Sequence, residues 1–366
     1  MRAAMSRLVK ALAFAMALTI GSAAAAFAAV ADRPESTTSF NGTVYSVLYV
    51  GNTVYVGGQF TAATDSSGTV TRNNAAAIDA TTGQLLSWSP NASGAVRALA
   101  SVPAGIALGG AFGTISGAVH NKLAVVNAVT GASTSFAGSA NRVVRALATG
   151  PDGRLYVGGG FTSVSGQARS GLAAFDGNTL SSWAPKLSGG SALSLHTANG
   201  WVLAGGTFTA VNGAYGSGYL AALGPSSGGL VSSWDPSITI PVHAIDSDAN
   251  KVYAAADGSG GRLSAYLLSG GGSRAWSVAT DGGVQAVSVV GSDVYFGGHF
   301  DNIGTVFRRK LALVNTSGVL QSWNPRANSA VGVCALDTNG TKLGVGGAFT
   351  TFKGGGVSQP HFAQFS

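Results

Sequence analysis

The chain is poor in the residues from which most protein chemistry is built. Of its 366 residues one is cysteine, Cys334, so no intrachain disulfide can form. Glutamate occurs once, at Glu35, and charged residues make up only 10% of the chain, against about a quarter in an average domain. There is no Cys/His spacing of the zinc-binding kind, no P-loop, no Rossmann fingerprint and no nucleophile elbow. No metal and no cofactor is therefore expected. The Gly-x-Gly matches follow from 55 glycines and carry no information. Basic residues are not gathered into a stripe, which excludes nucleic acid as a partner. After the first thirty or so residues no run is long and apolar enough to span a membrane.

The N-terminus reads as an export signal. Arg2, Arg7 and Lys10 form a positive start, an apolar run follows over 11–20, and small residues follow that. Ala29-Val30-Ala31 before Asp32 is a cleavage site of the A-x-A kind, and Ala26-Phe27-Ala28 is a second candidate. The expected division is a signal peptide over 1–31 and one domain over 32–366. Removing the three basic residues lowers the formal charge from +7 to +4. The mature chain is expected to be monomeric, and secreted or held at the cell surface.

Two words then recur about every 47 residues. Gly-Gly-x-Phe stands at Gly57, Gly109, Gly158, Gly205, Gly297 and Gly346. An aromatic, often followed by x-Pro, stands at Phe40, Trp88, Phe136, Trp183, Trp234, Trp276 and Trp323. Periods of roughly 40 to 50 residues rich in glycine and aromatics mark propeller blades. In the third repeat, 143–148 reads as a strand, Pro151-Asp152-Gly153 as a tight turn and 155–158 as a second strand. A longer loop follows, then a strand over 172–175, a turn, and a strand over 180–183. The expected fold is all-β: a seven-bladed propeller of four-stranded antiparallel meanders. The last repeat stops after three strands, so the segment 37–42 is expected to supply its fourth and close the ring. The aromatics and glycines are read as packing residues, and Cys334 as a small buried hydrophobe in an apolar strand.

The words V-Y-V-G-G-x-F-T at 54–61, Ile78-Asp79 through Gly83 and W-x-P at 88–90 resemble the delta-60-type propeller repeats of exported bacterial proteins. The resemblance covers roughly 36–366. It implies the fold and an extracellular setting, and it brings no shared catalytic residues. The fifth repeat departs from it, with Ala254-Ala255-Ala256-Asp257 in place of the glycine word and a short loop after it.

Two groups of polar residues stand out. The first surrounds the sixth repeat: Asp281, His299, Asp301, Arg308 and Arg309, with His361 and Lys353 from the next repeat. If the protein were an enzyme, Asp281, His299 and Asp301 would carry the chemistry. His299-x-Asp301 alone offers too few ligands for a metal. Asp79, Asp152, Asp176, Asp293 and Asp337 fall at turns and strand ends, where aspartate serves the backbone. The second group is periodic. One position of the innermost strand holds Tyr45, Arg97, Arg145, Leu193, His243, Gln285 and Cys334 in turn. Equivalent positions in a ring share a height, so Arg97, Arg145, His243 and Gln285 should converge near the axis, with His299, Arg308 and Arg309 as an outer lip. The expected function is an exported binding module for an extracellular glycan or protein partner, with a preference for anionic groups. The alternatives are a polysaccharide hydrolase or lyase acting on the long-loop face, and a scaffold with no small ligand.

Overall fold

The structure, a computed structural model, describes residues 29–258 and 260–366. Most of the expected leader, 1–28, lies outside the described residues. Small and β-branched residues alternate between tight turns, and the chain folds into antiparallel strands; apart from a single turn of 3-10 helix at Lys353–Gly355 there is no helix among the described residues. Seven sheets share one plan there. Their innermost strands are Val44–Val50, Val96–Val102, Val144–Thr149, Ala192–Ala198, Val242–Ser247, Val284–Val290 and Val333–Thr338. Each pairs with a second strand and the second with a third, as Val96–Val102 pairs with Gly105–Gly110, and that with Leu123–Val126. The innermost strands pack side by side in chain order, and Val333–Thr338 also packs against Val44–Val50. The protein is a β-propeller.

The glycine pair has a steric cause. A Cβ on Gly57, Gly109, Gly205 or Gly297 would collide with Val96, Val144, Val242 or Val333 of the following sheet, and one on Gly346 with Val44 of the first. A Cβ on the second glycine would strike the carbonyl of the residue just before the sheet's own innermost strand: Thr43, Ala95, Val143, Ser191, Gly283 or Gly332. The tryptophans bind sheet to sheet. Trp88, Trp183, Trp234 and Trp276 each donate Nε1–H to a main-chain carbonyl in or beside the next sheet's outer turn, at Asn127, Gly224, Leu267 and Thr316, all at 2.9 Å.

Three expectations need correcting. The fourth strand is reduced in most sheets. It is a single bridge such as Ile78 with Leu85 or Val314 with Leu320, because Pro90, Gly138, Pro185, Pro236 or Pro325 follows two residues after the aromatic and stops the ladder. In the fifth sheet Val278 stands there instead, and the fourth strand runs in full over Arg274–Ala279. The register of the fifth repeat is also shifted. Pairing puts Ala255 opposite Ala244 and Ala256 opposite Val242, so these two alanines occupy the glycine positions and Asp257 is the x residue.

The N-terminal strand is the third correction. Ser39–Phe40 pairs with Ala63 and Thr64 in the small hairpin between the second and third strands of the first sheet, and the last sheet has three strands. Phe40 precedes Val44 by four residues where Trp88 precedes Val96 by eight, so Phe40 is not the seventh repeat aromatic. Earlier residues meet the last strand, Phe362–Phe365: the Glu35 N–H donates to the Gln364 carbonyl and the Ala31 N–H to that of Ser366, both at 2.8 Å. Trp323 Nε1–H donates to the Ala31 carbonyl at 3.1 Å, so Ala31 fills the role that an outer turn fills elsewhere. Val30 is 4% exposed and donates its N–H to the Tyr295 hydroxyl. Glu35 pairs with Lys342 at 2.8 Å.

Polar groups also tie neighbouring innermost strands near the short-turn face. Thr149 donates to the Ser101 carbonyl at 2.7 Å and Thr197 to the Thr149 carbonyl at 3.1 Å. His196 Nε2 lies 2.9 Å from the Ser247 hydroxyl. The Val289 N–H donates to Asp246 at 2.7 Å, and the Tyr49 N–H to Asp337 at 2.6 Å. Burial pushes the Asp246 carboxyl up to about 6. Burial, opposed by the N–H donors of Tyr49 and Thr338 and reinforced by Asp246, takes Asp337 to about 7. Burial lowers His196 to about 4. Asp337, expected as a turn residue, is instead a strap from the last sheet to the first.

Two outcomes follow. A chain shortened to begin at residue 37 loses Val30 from its pocket and bares the edge of Phe362–Phe365. The cost should be on the order of 3–5 kcal/mol, with aggregation; an unchanged melting curve in a monomeric deletion variant contradicts it. Asp337 has a folded pKa above its unfolded one. Its contribution is full below about pH 4 and fades as pH rises toward 7. Asp337→Asn keeps an acceptor for Tyr49, so the variant should gain on wild type by on the order of 2 kcal/mol between pH 4.5 and 7.5. Melting curves of both proteins across that range test the sign.

Candidate functional site: the axial cavity

The innermost strand of every sheet has a bulge at the same place. The register slips between Val44 and Ser46, Val96 and Ala98, Val144 and Ala146, Ala192 and Ser194, Val242 and Ala244, Val284 and Ala286, and Val333 and Ala335. The extra residue is Tyr45, Arg97, Arg145, Leu193, His243, Gln285 or Cys334. A bulge leaves its extra residue out of the ladder and re-aims the side chain. All seven line one cavity of about 260 Å³, with Val331. Arg97 and Arg145 therefore face the axis.

The ring is cationic on one side. The Arg97 guanidinium lies 4.6 Å from the centre of the Tyr45 ring, a cation–π contact that orients it. Tyr45 donates its hydroxyl to Gln59 at 3.4 Å. Partial burial, and then Arg97, lower Arg145 from its ordinary value, yet a guanidinium keeps its charge under such pressure. His243 Nε2 is 3.3 Å from Asp257 Oδ2. Burial lowers the His243 pKa; Asp257 opposes this, while His299 and Arg145 add to it. The imidazole is thus neutral at pH 7, and the two arginines supply the positive charge. Burial takes the Cys334 thiol up to about 11, so it is protonated and unreactive. It is half-buried and lines the cavity, not the sheet core.

Residues in the x position of the glycine word stand just above the ring, at the ends of the second strands. Gln59, Thr207, Asp257 and His299 are the polar ones, Thr207 accepting the Ser191 N–H at 3.0 Å, and Asp257 and Gln59 each touch the ring residue of their own sheet. Below the ring the channel wall is mostly aliphatic, with Leu99, Leu147, Leu195 and Ile245, and the hydroxyls of Ser46 and Ser194 stand among them. An anion at the ring would sit over a largely aliphatic floor, where its attraction to Arg97 and Arg145 is less screened than in water.

The sixth-repeat group does not converge as a catalytic set. Asp281 accepts the N–H groups of Asp301 and Asn302 and the Asn302 amide, at 2.8, 2.9 and 2.7 Å. Burial raises its pKa, but the bonds from Asn302 and Asp301 outweigh it and hold the carboxyl below its usual range. Asn41, Ser93, Asn141 and Asn328 make the same clamp on their own loops. Asp281 orders a loop. Asp301 is taken by Lys310 at 2.9 Å and Arg309 at 3.6 Å. Arg308 donates to the Phe307 and Gln321 carbonyls, as Arg72 donates to Thr71 and Leu86, and Arg169 to Ala168 and Ser181. It is a repeat strut and does not reach the cavity. Lys353 pairs with Asp32 and His361 lies 3.2 Å from the Gly347 carbonyl. Of this group only His299 approaches the axis.

Five of the six tryptophans are repeat aromatics, and the sixth, Trp201, was not singled out from the sequence. Trp201 differs: it is off the repeat and its indole N–H has no partner among the described residues. It lines a cavity of about 470 Å³ on the short-turn face, beside Pro151, Asn199 and Pro225. Its odd spacing was the available signal.

Comparison with known proteins agrees with the architecture. Residues 150–176 match the model of a family described as "Domain of unknown function (DUF5122) beta-propeller". No match to a curated protein was found. Among solved structures the chain is similar to the computationally designed Ika8 protein, with TM-score 0.56 and 15% identity, over 91% of this chain and 99% of that one. It is similar to the WD40 beta propeller domain of Doa1, with TM-score 0.56 and 10% identity, over 91% and 96%. At such identities the likeness is one of fold, and the fold is that of a β-propeller built from repeats.

Proposed function

We propose that this is an exported propeller of the delta-60-type repeat class that binds an anionic group of an extracellular glycan or protein in its axial cavity. The observation that carries the reading is the ring of seven bulges, which turns Arg97 and Arg145 toward one space with His243 and Gln285. The expected ligand group is a carboxylate or sulfate, because two guanidiniums and a Gln amide offer donors and little acceptor capacity. His299 stands at the lip, and Arg309 farther out on the same loop. A binding role is favoured over a hydrolase or lyase because Asp281 and Asp301 already spend their oxygens within their own loop, whereas a glycosidase needs two opposed carboxyls free to meet the bond.

The reading includes seven blades, a ring closed by the segment 29–36, and a monomer. Export is supported by the leader-like N-terminus. The packed Val30 and Ala31 favour cleavage after Ala28, not Ala31, since a mature chain starting at Asp32 would lose both contacts.

Arg97→Ala plus Arg145→Ala should weaken binding to sulfated or uronate-bearing glycans about tenfold or more and leave neutral ones unchanged. A glycan array of the mature protein, with melting curves as the folding check, decides this. Undiminished binding of acidic glycans by the folded double variant would falsify the axial assignment. Intact-mass analysis of secreted protein should give a chain beginning at Ala29; a chain beginning at Asp32 contradicts the proposed boundary.

A further inference from the structure

Six of the seven sheets carry a small hairpin between their second and third strands, and the segment entering the sheet holds it. Ser39–Phe40 pairs with Ala63 and Thr64, and Leu187–Ser188 with Ala210 and Val211. Ala92 bridges to Ile115, Ala140 to Val164 and Thr280 to Ile303. The Asn328 N–H reaches the Thr351 carbonyl at 2.9 Å. The fifth sheet breaks the rule. Its second strand ends at Ala256 and its third begins at Arg262, and so short a connection forms no hairpin. Ile238 lies four residues after Trp234, as Ala92 lies four after Trp88 and Thr280 four after Trp276. It is the pairing residue with its partner missing.

The entering segment is left with free backbone. The N–H groups of Ile238, Thr239 and Ile240 have no hydrogen-bond partner among the described residues. A cavity of about 330 Å³ lies between this segment and the face of the fifth sheet. Ala254, Ala256, Ser264 and Tyr266 form its wall, Arg262 and Arg274 stand in it, and no carboxylate lines it. Ile-Thr-Ile is a β-branched triplet suited to an extended conformation, and unpaired extended backbone is a template for another strand.

We propose that this slot takes an extended acidic peptide by strand addition: the peptide backbone pairs with 238–240, and its carboxylates meet Arg262 and Arg274. Arg274 pairs opposite Tyr266, four residues along the third strand from Arg262, a span of about 13 Å. Side chains four apart in an extended chain point the same way, so the peptide carries two acidic residues in the pattern acidic-x-x-x-acidic. Arginine suits the role because its fork grips a carboxylate with two bonds. Main-chain pairing gives affinity and the two arginines give selectivity. The inference does not rest on the axial cavity.

The test is selection of random 12-residue displayed peptides on the mature protein. Counter-selection uses a variant whose residues 258–261 are replaced by residues 300–310 of the sixth sheet's hairpin loop, which fills the slot and keeps Asp257 beside His243. Should that graft not fold, the variant with the exposed change Arg274→Ala together with Arg262→Ala serves instead. Enriched peptides should show the acidic-x-x-x-acidic spacing. A synthetic peptide of that sequence should bind the double arginine variant about tenfold more weakly or worse, slow amide exchange at 238–240, and bind the Arg97→Ala plus Arg145→Ala protein as it binds wild type. The proposal is overturned if no peptide survives counter-selection, if a bound peptide leaves exchange at 238–240 unchanged, or if removing both slot arginines has no effect.

Discussion

The architecture depends on one close approach in each sheet. The carbonyl just before the innermost strand lies where the Cβ of the second glycine would be. The same carbonyl accepts the N–H of the x residue, as Thr43 does from Gln59, Ala95 from Ala111 and Gly283 from His299, each at 2.8 Å. With the chain held that tightly, the next two residues cannot both fit the ladder, and a bulge follows. The fifth sheet shows how far the constraint bends. Ala256 replaces the glycine, and the Pro241 carbonyl still accepts the Asp257 N–H at 3.1 Å, within the range of the glycine-bearing sheets, where Gly332 accepts from Ala348 at 3.2 Å. The bulge survives, while the hairpin beyond it is gone.

Contact between sheets uses a second device, the indole N–H handed to the next sheet's outer turn. It needs a carbonyl to receive it, and Trp323 takes its acceptor from the N-terminal segment. Residues 29–36 answer that need at both levels, with Ala31 accepting from Trp323 and Glu35 pairing with the last strand's backbone. The half-buried carboxylates of Asp246 and Asp337 do similar work at the inner edge, each capping an N–H of the next innermost strand. An acceptor that must stay near an N–H tolerates protonation, since one oxygen still accepts. This explains how these aspartates survive with raised pKa values.

Much of this was legible in the sequence because the repeat is an internal alignment. The ring residues could be read from one position of the innermost strands, since the period places them at one height. The N-terminal strand was misplaced because Phe40 was matched by residue type; its distance to Val44 would have revealed the slip. Asp281, His299 and Asp301 looked like a constellation because polar residues crowd a short stretch. Only the geometry shows that Asp281 is the repeat's loop clamp, a place taken by Asn41, Ser93, Asn141 and Asn328 elsewhere. The straps at Asp246 and His196 were invisible because a lone polar residue in a strand gives no sign of which neighbour it will meet.

The bulge also explains where chemistry concentrates on this fold. Residues in the ladder are fixed twice, by pairing and by the neighbouring sheet, and they are accordingly uniform: valine or alanine before the bulge, alanine or serine after it, and leucine, valine or isoleucine a step further. The bulged residue is fixed by neither. It makes no ladder bond and its side chain faces the channel, so its identity ranges over tyrosine, arginine, leucine, histidine, glutamine and cysteine at no cost to the core. A position free of packing constraint in every repeat is one where binding groups can change without loss of fold. The x residue beside it has the same freedom, and Gln59, Asp257 and His299 stand there. Specificity can therefore be set by these two tiers, above a frame that the glycines, valines and tryptophans hold constant.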